Sequence, residues 1–267
     1  MWKWEAEGQP KAVVVILHSA YEHHHWYAWL IEKFRSAGFH VVMGDLPGHG
    51  KQDQYLKYHD EGFKGYLTYT KLLLNVALEY NLPLFVIGNG LGGAIALKAL
   101  QQNKIECAGL VITSPWINLK LTPGKMPNAL ASLSAITSNV KLAHDLTLHH
   151  FSRNTDVLLE LKEHLPLKNI VTVKWYRDWK NLTRDLRDPE FKLPNIPLLL
   201  MNGEKDRVAD SSASKRWLAN QSLSEYHYKE WNDCLHSLYF EVEREEVFQF
   251  TVDFINNVLR DLGYIIE

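Results

Sequence analysis

Apolar residues in this chain come as short unbroken runs separated by amphipathic stretches. Val13 to Leu17, Leu84 to Ile87, Gly109 to Thr113 and Ile196 to Met201 run without polar alternation, as strands covered on both faces do. Phe39 to Met43 and Glu225 to Glu230 supply further short strands, and Trp2, Trp4 and Ala6 alternate with polar neighbours as on an edge strand. Between these runs the spacing changes to a helical one. Tyr27, Leu30, Ile31, Phe34 and Ala37 share a face closed by Gly38, and Leu67 to Tyr80 and Ser211 to Asn220 read as further helices. Phe248, Val252, Ile255 and Leu259 mark a C-terminal helix. Strands alternating with helices predict an α/β fold with a mostly parallel central sheet covered by helices on both faces.

The rhythm breaks between 118 and 191, which is polar, mostly helical in pattern and interrupted by Pro123, Pro127, Pro166 and Pro189. Lying between two buried strands, it is predicted to be a helical cap inserted over the carboxyl ends of the strands, with 1–117 and 192–267 forming the core. Trp116, Trp175, Tyr176, Trp179, Leu146, Leu148 and Phe151 would pack it down. Any of them facing the cleft would line an apolar channel suited to an acyl chain or another small hydrophobic ligand.

The stretch Gly88-Asn89-Gly90-Leu91-Gly92-Gly93 joins a strand directly to a small-residue helix. Its glycines permit close packing and a positive φ. The layout is that of the G-x-S-x-G nucleophile elbow, but Gly90 stands where the serine belongs.

Composition narrows the rest. The chain has 267 residues, 46% hydrophobic and 22% charged, with a formal net charge of −2, which suits a globular protein with a large core. Lys and Arg are scattered and form no basic stripe, so no nucleic-acid partner is expected. Cys107 and Cys234 form no CxxC, no apolar run approaches a transmembrane span, and the first residues lack a signal-peptide core. The expectation is a cytoplasmic protein. The triplet His23-His24-His25 is predicted to open the first helix with its rings pointing apart. No metal and no cofactor are expected.

Five loops resemble those of the α/β-hydrolase family, in its monoacylglycerol-lipase and lysophospholipase branch. His18-Ser19-Ala20-Tyr21-Glu22-His23 is similar to H-G-x-x-E-H, Asp45-Leu46-Pro47-Gly48-His49-Gly50 to D-x-P-G-H-G, and the elbow to G-H-S-x-G-G. Gly203 to Asp210 resembles the loop carrying the catalytic acid, and His236 with the Glu241–Arg244 stretch the loop carrying the base. The resemblance implies a carboxylester hydrolase acting by a Ser-His-Asp mechanism. Its nucleophile, acid and base positions fall on Gly90, Asp206 and His236, with Asp210 a rival acid, and its oxyanion donors are the amides of Ala20 and Leu91.

Glycine offers no attacking atom, so ester hydrolysis is expected to be absent or strongly impaired. Three origins compete: an engineered exchange, a natural relative kept for binding hydrophobic ligands, or an Asp206/His236 pair acting as a general base without a nucleophile. Ser19, Asn89 and Ser237-Leu238 also depart from the family pattern, which favours a natural variant. Ser19, Ser114 and Cys234 are weaker candidates for a substitute nucleophile. A single Gly90→Ser exchange is expected to restore turnover.

Overall fold

The computed structural model describes residues 1–50, 61–103, 107–121, 140–164 and 170–265. Strands β1 (Trp2–Trp4), β2 (Ala12–Leu17), β3 (Phe39–Met43), β4 (Leu84–Asn89), β5 (Gly109–Thr113), β8 (Leu198–Gly203) and β9 (Tyr226–Trp231) form one sheet in the order β1-β3-β2-β4-β5-β8-β9. Only β1 is antiparallel, paired with β3; the other neighbours run parallel.

The absence of alternation in β2 has a direct structural cause. Val13, Val15 and Leu17 belong to one core and Ala12, Val14 and Ile16 to a second. On the first face lie helices α2 (Phe63–Leu78), α3 (Gly90–Asn103) and α6 (Ser211–Ala219); on the second lie α1 (Ala28–Ser36) and α7 (Arg244–Asp261). Every residue of β2, β3, β4, β5 and β8 is buried. The predicted mostly parallel, doubly covered sheet is what the chain forms.

Helix α2 starts at Phe63, four residues before the predicted Leu67, because Phe63 and Tyr66 extend its buried face. The first helix is entered through a 3-10 turn, His24–Tyr27. Between β5 and β8 lie helices α4 (Thr155–His164) and α5 (Val173–Leu186), and also a two-stranded antiparallel sheet of β6 (Lys141–Ala143) and β7 (Ile170–Thr172). These strands were not predicted. With three residues each, they are too short to carry a period-two pattern. Pro123, Pro127 and Pro166 lie outside the described residues. Helix α5 buries Trp175, Trp179, Leu182 and Leu186 along one stripe, and the Trp175 indole donates to Tyr66 Oη at 3.0 Å, tying the segment to α2.

Two close approaches set the working end of the sheet. At Gly92 an added Cβ would lie 2.2 Å from the Leu17 carbonyl oxygen, so only glycine lets α3 press against the end of β2. At Gly203 it would lie 2.0 Å from the Leu235 oxygen and 2.4 Å from that of Cys234, which brings the end of β8 against the loop carrying His236. Gly203→Ala is expected to lower the unfolding free energy by about 1–3 kcal/mol through overpacking, as measured by urea denaturation.

Candidate functional site

The site gathers at the carboxyl ends of β2, β4, β5 and β8. At the β4–α3 junction Gly90 has φ +51°, the left-handed conformation expected at an elbow. A Cβ placed there would stand 3.0 Å from His236 Nε2. The sequence-predicted positions 90 and 236 therefore meet.

Asp206, in the turn after β8, places Oδ2 2.8 Å from His236 Nδ1. Its Oδ1 accepts from the amides of Val208 at 2.7 Å and Ala209 at 3.0 Å, which fixes the carboxylate's orientation. Asp210 does something else: it caps α6 by accepting from the Ser212 amide at 3.0 Å. Both Asp206 and His236 are buried. The Trp116 indole donates to His236 Nε2 at 3.0 Å. Because indole N–H can only donate, Nε2 is the acceptor nitrogen and the ring proton sits on Nδ1, facing Asp206. That is the tautomer a general base needs, but its lone pair is already in use.

Across the cleft, Ser19 and Ala20 are buried in the loop after β2. The Leu91 amide, at the N-terminus of α3, donates to Ser19 Oγ at 3.0 Å. Tyr21, next in the loop, holds φ +71°, a conformation costing a non-glycine residue about 1–3 kcal/mol. Beneath the loop Glu22 is buried and collects donors. The Ser19 amide reaches Oε2 at 2.7 Å, Tyr27 Oη reaches it at 2.5 Å, and Asn89 Nδ2 lies 3.1 Å from Oε1. Burial, and then the Glu22 charge, hold the Tyr27 phenol well above its ordinary range. Asn89 is completed by the Thr113 hydroxyl at 3.0 Å. Glu241 does the corresponding work for the base loop, accepting from the amides of Leu235 at 2.6 Å and Arg153 at 3.0 Å.

The weaker nucleophile candidates separate. Burial, followed by the Glu243 and Glu241 charges, pushes the Cys234 thiol up to about 12, the opposite of what thiolate attack needs. Ser114 is buried at the end of β5. Ser19 alone faces Gly90.

Sequence reasoning overlooked Trp116 as the partner of His236 and Glu22 as the hub of a network. In the sequence Trp116 signals only packing or channel lining, and Glu22 signals only a carboxylate in the loop between the first buried strand and the first helix. The triplet reading also needs correction. One ring nitrogen from each of His23, His24 and His25 lies within 4.8 Å of the others, the one such trio among the described residues. Trp2 stacks on His24 at 3.6 Å, and the tilted rings of His24 and His25 have centroids 3.9 Å apart. Asp45 Oδ1 engages His24 Nδ1 at 2.8 Å.

Beside the triad positions, Tyr21, Trp116, Leu146, Val171, Trp175 and Tyr176 help line an apolar cavity of about 30 Å³. That is room for about one water. A groove of about 900 Å³ opens at the opposite, amino-terminal ends of β4 and β5, lined by Leu82, Pro83, Cys107, Pro194 and Tyr264. Its size does not make it the chemical site, because Asp206 and His236 lie at the other end of the sheet.

A mostly parallel sheet with a strand-to-helix elbow followed in chain order by a buried Asp and a buried His has the α/β-hydrolase fold. The chain belongs to the serine aminopeptidase S33 family, whose sequence profile matches residues 8–243. It is 32% identical over 251 residues to phospholipase YtpA of Bacillus subtilis, covering 93% of this chain and 96% of that protein. It is 25% identical to monoglyceride lipase of Rattus norvegicus, covering 90% of this chain and 80% of the relative. Among solved structures, monoacylglycerol lipase of Paleococcus ferrophilus superposes with a TM-score of 0.78 at 22% identity, covering 97% of this chain and 98% of that one. The chain is thus a lipase and lysophospholipase-type member of the fold. Among the described residues no helix is long and apolar enough to cross a membrane.

Two expectations come from the site's burial. Removing the Glu22 carboxylate strands four buried donors, those of Ser19, Tyr27, Asn89 and Ser237, so Glu22→Ala is expected to cost about 2–5 kcal/mol by denaturant titration. Burial, offset in part by Asp45, lowers His23 to about 3, and burial, offset in part by Asp145, lowers His144 to about 4, both from an ordinary 6.5. Below pH 6.5 the unfolded chain therefore binds protons that the folded chain refuses, and stability falls as pH falls towards 4. The urea midpoint should decline across that window, less steeply in His23→Gln and His144→Gln.

Proposed function

We propose that this chain keeps a lipase-type pocket for hydrophobic acyl ligands while hydrolysing esters only very slowly. Residues 118–191 act as its cap, and Asp206 and His236 form an acid–base pair over an elbow that carries no nucleophile. The observation that supports this reading is Gly90: it holds the elbow's left-handed backbone 3.0 Å, measured from a notional Cβ, below His236 Nε2. In a serine-bearing relative His236 would take the hydroxyl proton, Asp206 would stabilise the imidazolium, and the amides of Ala20 and Leu91 would hold the oxyanion. Here no acyl-enzyme can form at residue 90. The residual acceleration that an intact oxyanion hole gives a triad without its nucleophile, roughly 10³–10⁴-fold over water, is also curtailed, because the Leu91 amide is engaged by Ser19.

The apolar cavity lining favours ligand binding as the retained activity. At about 30 Å³ it is far below the several hundred Å³ of an ordinary ligand site, so an acyl chain enters only if α5 and the β6–β7 pair move outward. General-base chemistry on a bound substrate would need Trp116 to release Nε2 first, which makes it the less favoured reading.

Two measurements test this. Turnover of p-nitrophenyl butyrate by the unmodified chain should be slow and indistinguishable from that of His236→Ala; fast turnover dependent on His236 would sink the reading. A long-chain alkyl glycerol ether should quench tryptophan emission on binding. Val171→Trp, which fills the cavity, should weaken that binding by at least about tenfold, or 1.4 kcal/mol.

A further inference from the structure

Gly90 and Ser19 are not independent departures. A Cβ added at residue 90 would lie 2.2 Å from Ser19 Oγ and 2.9 Å from Ser19 Cβ, well inside van der Waals contact. The Ser19 hydroxyl therefore occupies space that a side chain at the elbow would need. It also uses the amide that would bind the oxyanion, since Leu91 N–H donates to its oxygen at 3.0 Å. On the other side the Trp116 indole N–H fills the lone pair of His236 that would accept a nucleophile's proton. Trp116 is held in place there by its own amide, which donates to the Gly90 carbonyl at 3.0 Å.

We propose that Ser19 and Trp116 act together as an internal ligand of the site, and that Ser19 is the positioning residue which obliges residue 90 to be glycine. One hydroxyl has in effect moved across the cleft, from the elbow to the loop after β2. In its new place it is a plug and not a nucleophile: it accepts from Leu91, while His236 Nε2 is turned to Trp116. Contrary to the expectation from the sequence that Gly90→Ser alone restores turnover, the elbow serine would share one volume with Ser19, and the reversal needs both positions changed. This builds on the lipase-type reading but rests on sterics that can be measured without any substrate.

The steric part is tested by thermal unfolding of Gly90→Ala, Ser19→Gly and the double variant. The positive φ penalises alanine in both backgrounds. The clash penalises it only when Ser19 is present, so Gly90→Ala should lower the midpoint by about 5 °C or more and Ser19→Gly should recover about half of that loss. Additive shifts would overturn the proposal.

The chemical part uses an alkyl fluorophosphonate followed by intact-mass analysis. In labelling, the serine oxygen bonds to phosphorus, the P–F bond breaks, fluoride leaves and His236 takes the proton. The unmodified chain and Gly90→Ser should stay unlabelled. Ser19→Gly with Gly90→Ser should label at least about tenfold faster, faster again with Trp116→Phe, and not at all once His236→Ala is added. Labelling of Gly90→Ser as fast as the double variant, an adduct on Ser19 in the unmodified chain, or a folded triple variant that stays unlabelled would each overturn the proposal. Loss of ligand binding with the unfolding coupling intact would instead remove the lipase-type reading and leave the Ser19–Gly90 constraint standing.

Discussion

A polar group taken out of water must be satisfied by a partner inside the protein, and that requirement organises the whole working end of this molecule. His236, Asp206, Ser19 and Glu22 are all buried. An unsatisfied donor or acceptor there costs about 1–3 kcal/mol. Once the elbow has no hydroxyl, the imidazole and the Leu91 amide both need new partners, and the indole of Trp116 and the hydroxyl of Ser19 supply them. The same rule ties Glu22 to the Ser19 amide of its own loop, to the 3-10 turn before α1, to the end of β4 and, through Ser237, to the loop carrying His236.

The fold was largely legible because its signals are local and repeated. β2, β4, β5 and β8 each announce themselves as apolar runs, and the two cores explain why no alternation survives in them. Boundaries slipped where a packed aromatic, Phe63, extended a helix beyond the aliphatic pattern. β6 and β7 were illegible because three-residue strands are specified by pairing with each other across 26 intervening residues, not by their own sequence.

At the site, motif spacing points to residues 90, 206 and 236, remote in sequence, and the fold places them next to one another. It could not show what filled the volume left at residue 90. Ser19 and Gly90 are 71 positions apart and each looks like an isolated departure; their relation is a distance, visible only after folding. The histidine triplet failed for a related reason. Adjacent side chains diverge in regular structure, whereas at this 3-10 turn the rings of His23, His24 and His25 lie close to one another, with Trp2 of β1 stacked on His24.

The two rims of the sheet differ from its interior in a way that bears on the molecule's company. One rim is β1, only three residues long; the other is β9, which carries Lys229 and Glu230 among largely accessible positions. Short or charged border strands discourage another chain from adding itself to the ladder. A sheet as apolar as this one therefore stays closed to lateral growth, and the route by which it would be extended into aggregates is guarded by a few residues at either margin.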